Sequence, residues 1–284
     1  MPYSLPIEVP SALQYFEWLV ADDASFATLE AAVSVAQDDE PNLDVQGTLA
    51  EIDALAERLK RRIPEDAAPL HRLRLLNQYF FQDLGFGGNV NNYYDCANSS
   101  VRAVLSTRRG IPVTLALIYV ELASQNGLQA HGVSFPGHFL VKLRMPLGEV
   151  VIDPFTGRSL ERAELEERLQ PFRRHRGLPE HEDTPLDLFL QAAEPRAILS
   201  RLLRNLKEIH RSAGDLARLS RIMKRLTVLL PRDWVERRDL ALVLARLGHH
   251  ESACQELSTY LLHCPDAADA AALRRELAAW LSAH

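Results

Sequence analysis

The sequence has few of the residues that build covalent or metal-based frameworks: its 284 residues include three cysteines, Cys96, Cys254 and Cys264. An odd number without ligand-type spacing excludes a fully paired disulfide framework and a zinc motif, so reduced thiols, no metal and no cofactor are expected. No apolar run approaches the roughly 18 to 20 residues that cross a bilayer. The Met-Pro-Tyr-Ser start also lacks a basic region followed by an apolar one. A cytoplasmic protein with no membrane partner is the expectation. Phosphate-cradling glycines, basic residues interleaved with aromatics and a DNA-binding element are missing too, so no direct nucleic-acid contact is expected.

What is present suits one large core or two modest ones, since 47% of the chain is apolar. The net charge of -6 is unevenly spread: residues 1–63 carry 4 Lys/Arg against 12 Asp/Glu, and residues 196–284 carry 15 against 10. Opposed ends of this kind are either two solvated faces, the simpler reading, or surfaces that dock on one another.

Helical spacing accounts for most of the first third, and residues 1–69 read as an N-terminal helical region. Ser11 is placed to cap a helix through Val20, and Asp22 or Asp23 a second through Gln37, with Leu29, Val33 and Ala36 as its stripe. From Asp44 to Arg62 the residues Val45, Leu49, Ile52, Leu55, Ala56 and Leu59 recur at three and four, with acids early and bases late as the helix dipole favours. Leu70 to Leu84 makes another helix, with Leu73, Leu76 and Phe80 on one face and Gly85 ending it. The stretch from Gly85 to Ser99 has no period. It carries Asn89, Asn91, Asn92, Tyr93, Tyr94, Asp95 and Asn98, and such turn-rich segments lie on surfaces where sites are assembled. Two readings stand: these residues line a pocket, or the tyrosines pack the loop down while Asn98 or Ser99 caps the next helix.

Residues 70–180 read as a central domain, and its most informative stretch runs from Arg108 to Gly157. Gly110-Ile111-Pro112 opens a helix in which Leu115, Ile118, Leu122 and Ala123 repeat at helical spacing, and Gly127 stops it. Val133 to Leu143 and Glu149 to Asp153, with turn residues between them, predict an antiparallel hairpin. Pairing about the Met145–Gly148 turn sets Asp153 near Leu140 and diagonal to His138 on the same face. A histidine with an orienting carboxylate is half of a nucleophilic triad, and it is also a common way to satisfy a buried polar spot. Further on, Arg173, Arg174, His175 and Arg176 make a small basic spot that reads best as a solvated linker. Pro179, Pro185 and Pro195 mark the seam before residues 196–284.

That last region repeats. Gly214 and Gly248 are 34 apart, as are Pro231 and Pro265, with each Gly after an amphipathic helix and each Pro after the next. The period resembles the tetratricopeptide repeat, with Ala253 and Tyr260 in support. Fewer than three repeats are present, so their apolar faces, including Leu203, Leu206 and Ile209, need cover from elsewhere. Such helices offer either a peptide-binding groove or a buried structural layer.

The run Y-F-F-Q-D-L-G-F-G-G-N-V-N-N-Y-Y-D-C-A-N-S-S-V-R-A-V-L-S-T-R-R-G-I-P-V-T-L-A, followed by F-P-G-H-F-L-V-K and I-D-P-F-T-G, resembles the SirB family. In that family a divergent transglutaminase-like domain, of the permuted-papain type, is joined to tetratricopeptide-type helices. The resemblance implies an α+β, mostly helical fold: a core with a small antiparallel sheet and a C-terminal helical repeat. It also implies that the 89–98 loop lies near His138, so Asn89, Tyr93, Tyr94, Asp95, Asn98 and His138 are the expected ligand contacts. Transglutaminase-like enzymes carry their cysteine at the start of the core helix, about fifteen residues before the glycine that ends it. Counting back fifteen from Gly127 lands on Pro112.

With proline there, His138 and Asp153 read as a vestigial pair and no catalytic residue is expected. Thr114 is the nearest hydroxyl, and a threonine there is ordinarily a backbone-bonding residue. Cys96 is a weak second candidate for a nucleophile, because it lies on a different element from the one the fold uses. A regulatory or interaction protein with a protein or peptide partner, held by the C-terminal helices or the core cleft, is therefore expected. A hydrolase or acyltransferase using His138 and Asp153 with an unidentified nucleophile is the alternative. The family name carries a link to gene regulation, but no direct DNA contact is carried over.

Overall fold

The computed structural model describes residues 10–176 and 185–282. The Met-Pro-Tyr-Ser start, Gly177 and Pro179 lie outside the described residues. The chain forms two compact units, a smaller one from residues up to 27, 37–41 and from 203 onward, and a larger one from 28–36 and 42–202.

The chain opens with α1 (Ala12–Leu19), where Ser11 accepts from the Gln14 amide and Gln14 returns a bond to the Ser11 amide. The second expected helix starts later than its acids suggest. Asp22 accepts from the Ser25 hydroxyl at 3.2 Å beside a short 3₁₀ turn, Asp23–Ser25, and α2 begins only at Thr28 (Thr28–Ser34). An aspartate that bonds locally competes with helix formation, which explains the delay. Next come α3 (Val45–Lys60), capped by Asp44, and α4 (Pro69–Asn77), which runs into a wider π turn at Gln78–Asp83.

The larger unit continues with β1 (Gly87–Gly88), α5 (Val101–Thr107), β2 (Arg109–Gly110) and α6 (Pro112–Gln125). Then follow β3 (Ala130–Val133), β4 (Leu140–Met145), β5 (Gly148–Ile152) and β6 (Ser159–Leu160). The segment ends with α7 (Arg162–Arg176), α8 (Leu186–Phe189) and the first turns of α9 (Pro195–Ala213). Helix α6 is the centre of this unit. Pro112 through Tyr119, Leu122 and Ala123 are all buried, and the helix packs against α3, β3 and β4. A helix apolar on nearly every side is stable only when surrounded, so the rest of the unit is arranged around it. Strands β3 to β6 form one antiparallel sheet in sequence order, while β1 and β2 make a separate short parallel pair.

The single strand expected from Val133 to Leu143 is broken in the middle. Pro136 contributes no amide, Gly137 adopts φ +72°, and the His138 amide donates to the Phe135 carbonyl at 3.0 Å. Proline then glycine at the two central positions closes a type II turn, so one strand becomes β3 and β4. His138 consequently sits on a turn rather than in the ladder.

In the smaller unit α10 (Leu216–Leu229), α11 (Trp234–Arg246), α12 (His250–His263) and α13 (Ala270–Ser282) follow the end of α9. Gly214 (φ +69°) and Gly248 (φ +79°) turn the chain between helices at the 34-residue spacing read from the sequence. Ala241, Leu257, Tyr260 and Leu273 form one buried cluster, and Leu219, Met223, Leu240 and Ala253 another. Helix α1 packs on α10, supplying cover that the short repeat lacks. There the Arg225 guanidinium, fully buried, lies over the Phe16 ring at 4.9 Å and makes a two-pronged bond with Asp38, Nε to Oδ2 at 2.8 Å and Nη2 to Oδ1 at 2.9 Å. Asp39 meets Arg218 and Arg221 at 2.9 and 3.1 Å. The acidic and basic ends therefore do pair within this unit, through a handful of residues.

Removing one partner of a buried ion pair strands the other, at a cost of about 3–5 kcal/mol. Asp38→Ala is therefore expected to lower the free energy of unfolding by that amount. Asp39→Ala, whose arginine partners are about half exposed, should shift it by less than about 1 kcal/mol. Equal effects in equilibrium urea unfolding would refute the assignment of Asp38 as the buried partner.

Candidate functional site

The register Val141 opposite Ile152, carried one pair further, sets Leu140 across from Asp153. The Phe135–His138 turn then swings His138 over the end of β5. Its Nε2 lies 2.8 Å from Asp153 Oδ1, the contact that strand pairing predicts from sequence. The same oxygen accepts the Phe155 amide at 2.9 Å, and the Arg168 guanidinium of α7 lies 3.6 Å from Oδ2, an ion pair longer than a hydrogen bond. Asp153 is 2% exposed. The His138 side chain is 24% exposed, so one edge of the imidazole meets the buried acid and the other faces outward.

Burial alone would push the Asp153 carboxyl upward. The hydrogen bond and charge of His138, the Phe155 amide and the Thr156 hydroxyl outweigh it and hold the group below the usual carboxylate range. The site thus contains a permanent carboxylate orienting an imidazole through Nε2, which leaves Nδ1 as the nitrogen available to a ligand or a reacting group.

The start of α6 carries no nucleophile. Pro112 occupies its first position, and the preceding Ile111 caps it without a side-chain bond. Thr114 is fully buried, and its hydroxyl has no hydrogen-bond partner among the described residues. Cys96 is exposed at the start of a short 3₁₀ turn, Cys96–Ser99, and makes no hydrogen bond with His138.

The irregular loop is attached to both sides of the site. The Ile111 amide donates to the Asn98 carbonyl at 3.2 Å, and the Gly88 amide to the Phe155 carbonyl at 2.8 Å. A Cβ on Gly88 would stand 2.3 Å from the Phe155 ring, so only glycine permits this approach. Within the loop, Asn98 donates to the carbonyls of Asn92 (2.7 Å) and Tyr93 (3.1 Å) and accepts from Asn89 (3.0 Å). Asp95 accepts from the Ala97 amide and the Asn92 amide group. Asn89, Asp95 and Asn98 therefore hold the loop in shape, whereas Tyr93 leans on Phe155 with ring centroids 6.0 Å apart and Tyr94 is 77% exposed. Arg168 and Thr156 join the site without having been marked in the sequence. Thr156 follows directly on the Asp-Pro-Phe ending, and Arg168 stands among the leucines of α7, but nothing local says that either faces Asp153.

Among the described residues no cluster of three or more His, Cys, Asp or Glu is placed to hold a metal, and no helix is long and apolar enough to cross a membrane. The smaller unit has a cavity of about 630 Å³ at the start of α12, lined by His249, His250, Cys254 and Trp280 among others.

A transglutaminase-like superfamily profile matches residues 46–204, which include Pro112, His138, Asp153 and Arg168, and a tetratricopeptide-repeat profile matches residues 206–278. A UPF0162 protein of Xylella fastidiosa is 36% identical over 241 residues, covering 84% of this chain and 85% of that protein. A UPF0162 protein of Pseudomonas aeruginosa is 32% identical over 189 residues, 66% of this chain and 67% of the relative. F-box only protein 21 of Mus musculus is 37% identical over a stretch of 70 residues, 25% of this chain and 11% of that protein.

Because the folded-state value of Asp153 is depressed, its stabilising contribution is complete above the unfolded carboxyl value of about 3.9 and is lost as the pH falls below it. Asp153→Asn should therefore be less stable than wild type by roughly 1–3 kcal/mol at neutral pH. The gap should close in acid below about pH 4. Thermal unfolding at a series of pH values reads this directly, and a gap independent of pH would contradict it.

Proposed function

The chain belongs to the transglutaminase-like superfamily and is one of the UPF0162 proteins, and from that membership we propose that it is a non-catalytic interaction or regulatory protein which binds peptide at the His138–Asp153 pair. The observation that carries this reading is Pro112 at the first turn of α6. Covalent acyl chemistry needs a nucleophile beside its base, and loss of one triad member removes several orders of magnitude in rate. Proline offers no nucleophile in any rotamer or protonation state. Thr114 is sealed in the core, and Cys96 belongs to another element. What persists is a partly exposed imidazole with a fixed partner, suited to hydrogen-bonding a peptide group.

The tetratricopeptide-type helices support a second protein-binding surface, so the partner is a protein or peptide engaged through those helices, the core cleft or both. The narrower SirB assignment, a cytoplasmic location and the ligand roles of Tyr93 and Tyr94 belong to the same proposal. The alternative, a hydrolase or acyltransferase, is favoured by the intact His138–Asp153 contact at 2.8 Å and requires a nucleophile that this chain has not been seen to supply.

In an unbiased peptide-hydrolysis and amine-transfer screen, wild type and His138→Ala should be equally inactive, and turnover that disappears with the histidine would overturn the reading. Pro112→Cys gives a positive test of the geometry. A thiol at a helix N-terminus beside an imidazole reacts as thiolate, so its alkylation near pH 7 should exceed that of Cys96 by about tenfold or more. That excess should vanish in the His138→Ala background. A Pro112→Cys thiol no faster than Cys96 would remove the inference that position 112 is the vacated nucleophile position.

A further inference from the structure

The cavity in the smaller unit takes no residue from the His138 site. It opens between the turn that leads into α12 and the last turn of α13, with Trp280 and Leu281 as its apolar wall and Cys254 one turn into α12. His249, His250 and Ser252 supply polar groups around it. Its volume of about 630 Å³ lies within the roughly 300–1,000 Å³ of ligand pockets that combine an apolar wall with a few polar groups.

The repeat itself shows what fills such a corner. At a spacing of 34, Leu216 stands where His250 does, Leu219 where Ala253 does and Leu247 where Leu281 does. Leu219 is buried, and Leu216 and Leu247 pack against the same cluster, so the first corner is filled by the chain's own leucines. In the second corner an imidazole and a methyl group replace two of those side chains, and Leu281 is 64% exposed. Apolar volume that is lost without inward movement of the neighbours remains as a cavity. The outer face of α13 carries Arg274, Arg275 and Glu276, all exposed, a solvated surface of the kind that ends a repeat stack. A further helical layer or a second copy stacked there would cover those charges, so the opening suits an inserted side chain.

We propose that this cavity binds a leucine- or phenylalanine-sized apolar side chain of a partner peptide, which takes the place of the leucines missing from the second corner. Trp280 supplies a large, flat contact surface. His249, at the N-cap of α12 without a side-chain bond to that helix, offers a hydrogen bond to the flanking peptide group. The inference rests on the reading of the tetratricopeptide-type helices as a protein-binding surface and draws nothing from the His138 site, so the two fail separately.

The partly exposed thiol of Cys254 reports occupancy of the cavity directly. Full-length protein is mixed with blocked pentapeptides, acetyl-Ser-Gly-X-Gly-Ser-amide with X as Leu, Phe or Ala, and alkylation of each cysteine by iodoacetamide is followed by mass. The Leu or Phe peptide should slow alkylation of Cys254 and not of Cys96, at a concentration about tenfold or more below that which the Ala peptide needs. His250→Leu, which returns the leucine of the first corner, should remove the protection, with its own melt confirming that it folds. Ser252→Trp, at an exposed position on the cavity mouth, should do the same and serves if His250→Leu does not fold. Absent protection, equal protection by all three peptides, or protection that persists in the filled variants would overturn the site. Protection by N-acetylleucinamide with none by the pentapeptides would overturn the peptide as occupant. Cys254 reactivity that falls with protein concentration, without peptide, would assign the cavity to a second copy instead. Peptide binding lost in His138→Ala with Cys254 unprotected would overturn this inference and leave the His138 reading standing, whereas Cys254 protection unchanged by His138→Ala would support it whatever that site binds.

Discussion

A carboxylate removed from water must be compensated where it stands, and Asp153 imposes that demand on everything around it. Its charge is held by an imidazole, a backbone amide and a hydroxyl that come from three successive constructions: the Phe135–His138 turn, the chain reversal after β5, and Thr156 beyond it. The reversal is in turn fixed by the Gly88 amide on the Phe155 carbonyl, and the loop that follows Gly88 is tied to the first residue before α6. One buried charge thus links the sheet, the irregular loop and the start of the central helix. Its preservation in a chain without the expected nucleophile is intelligible on structural grounds alone, because an isolated Asp153 would be costly whether or not any reaction took place.

The smaller unit solves a related problem with arginine and lysine. Arg225 is fully buried against Phe16 and Asp38, and Lys207, also buried, lies 2.6 Å from Glu236 and 3.2 Å from Asp239. Such pairs contribute little net stability over apolar packing, but a wrong pairing of helices would leave them unmatched. They therefore fix which helix meets which in a stack whose apolar faces are interchangeable, and they make α1, far away in sequence, part of the repeat layer.

Between these features the chemistry divides cleanly. The larger unit holds an imidazole oriented by a buried carboxylate, with the Tyr93 ring against Phe155 and Tyr94 exposed on the neighbouring loop. Asn89, Asn92 and Asn98, three of the asparagines that make the loop look like a binding surface, hydrogen-bond within it and shape it.

Local structure was largely legible in the sequence because it depends on a few neighbouring residues. Ser11 and Asp44 cap their helices, Pro112 opens α6, and Gly214 and Gly248 turn the repeat; the pairing of β4 with β5 brings Asp153 near His138, and the Phe135–His138 turn completes their contact. The proline-glycine pair at 136–137 lies inside an apolar run that reads as one strand, and only the structure, in which β3 and β4 are separate strands, shows that it turns the chain. Tertiary structure alone decided that Asn98 spends its amide on the loop, that Arg168 faces Asp153 from a helix further along the chain, and that Asp38 finds Arg225. Contacts between distant segments depend on how whole elements pack. That packing follows from the summed burial of many side chains, and no single residue carries it in its spacing.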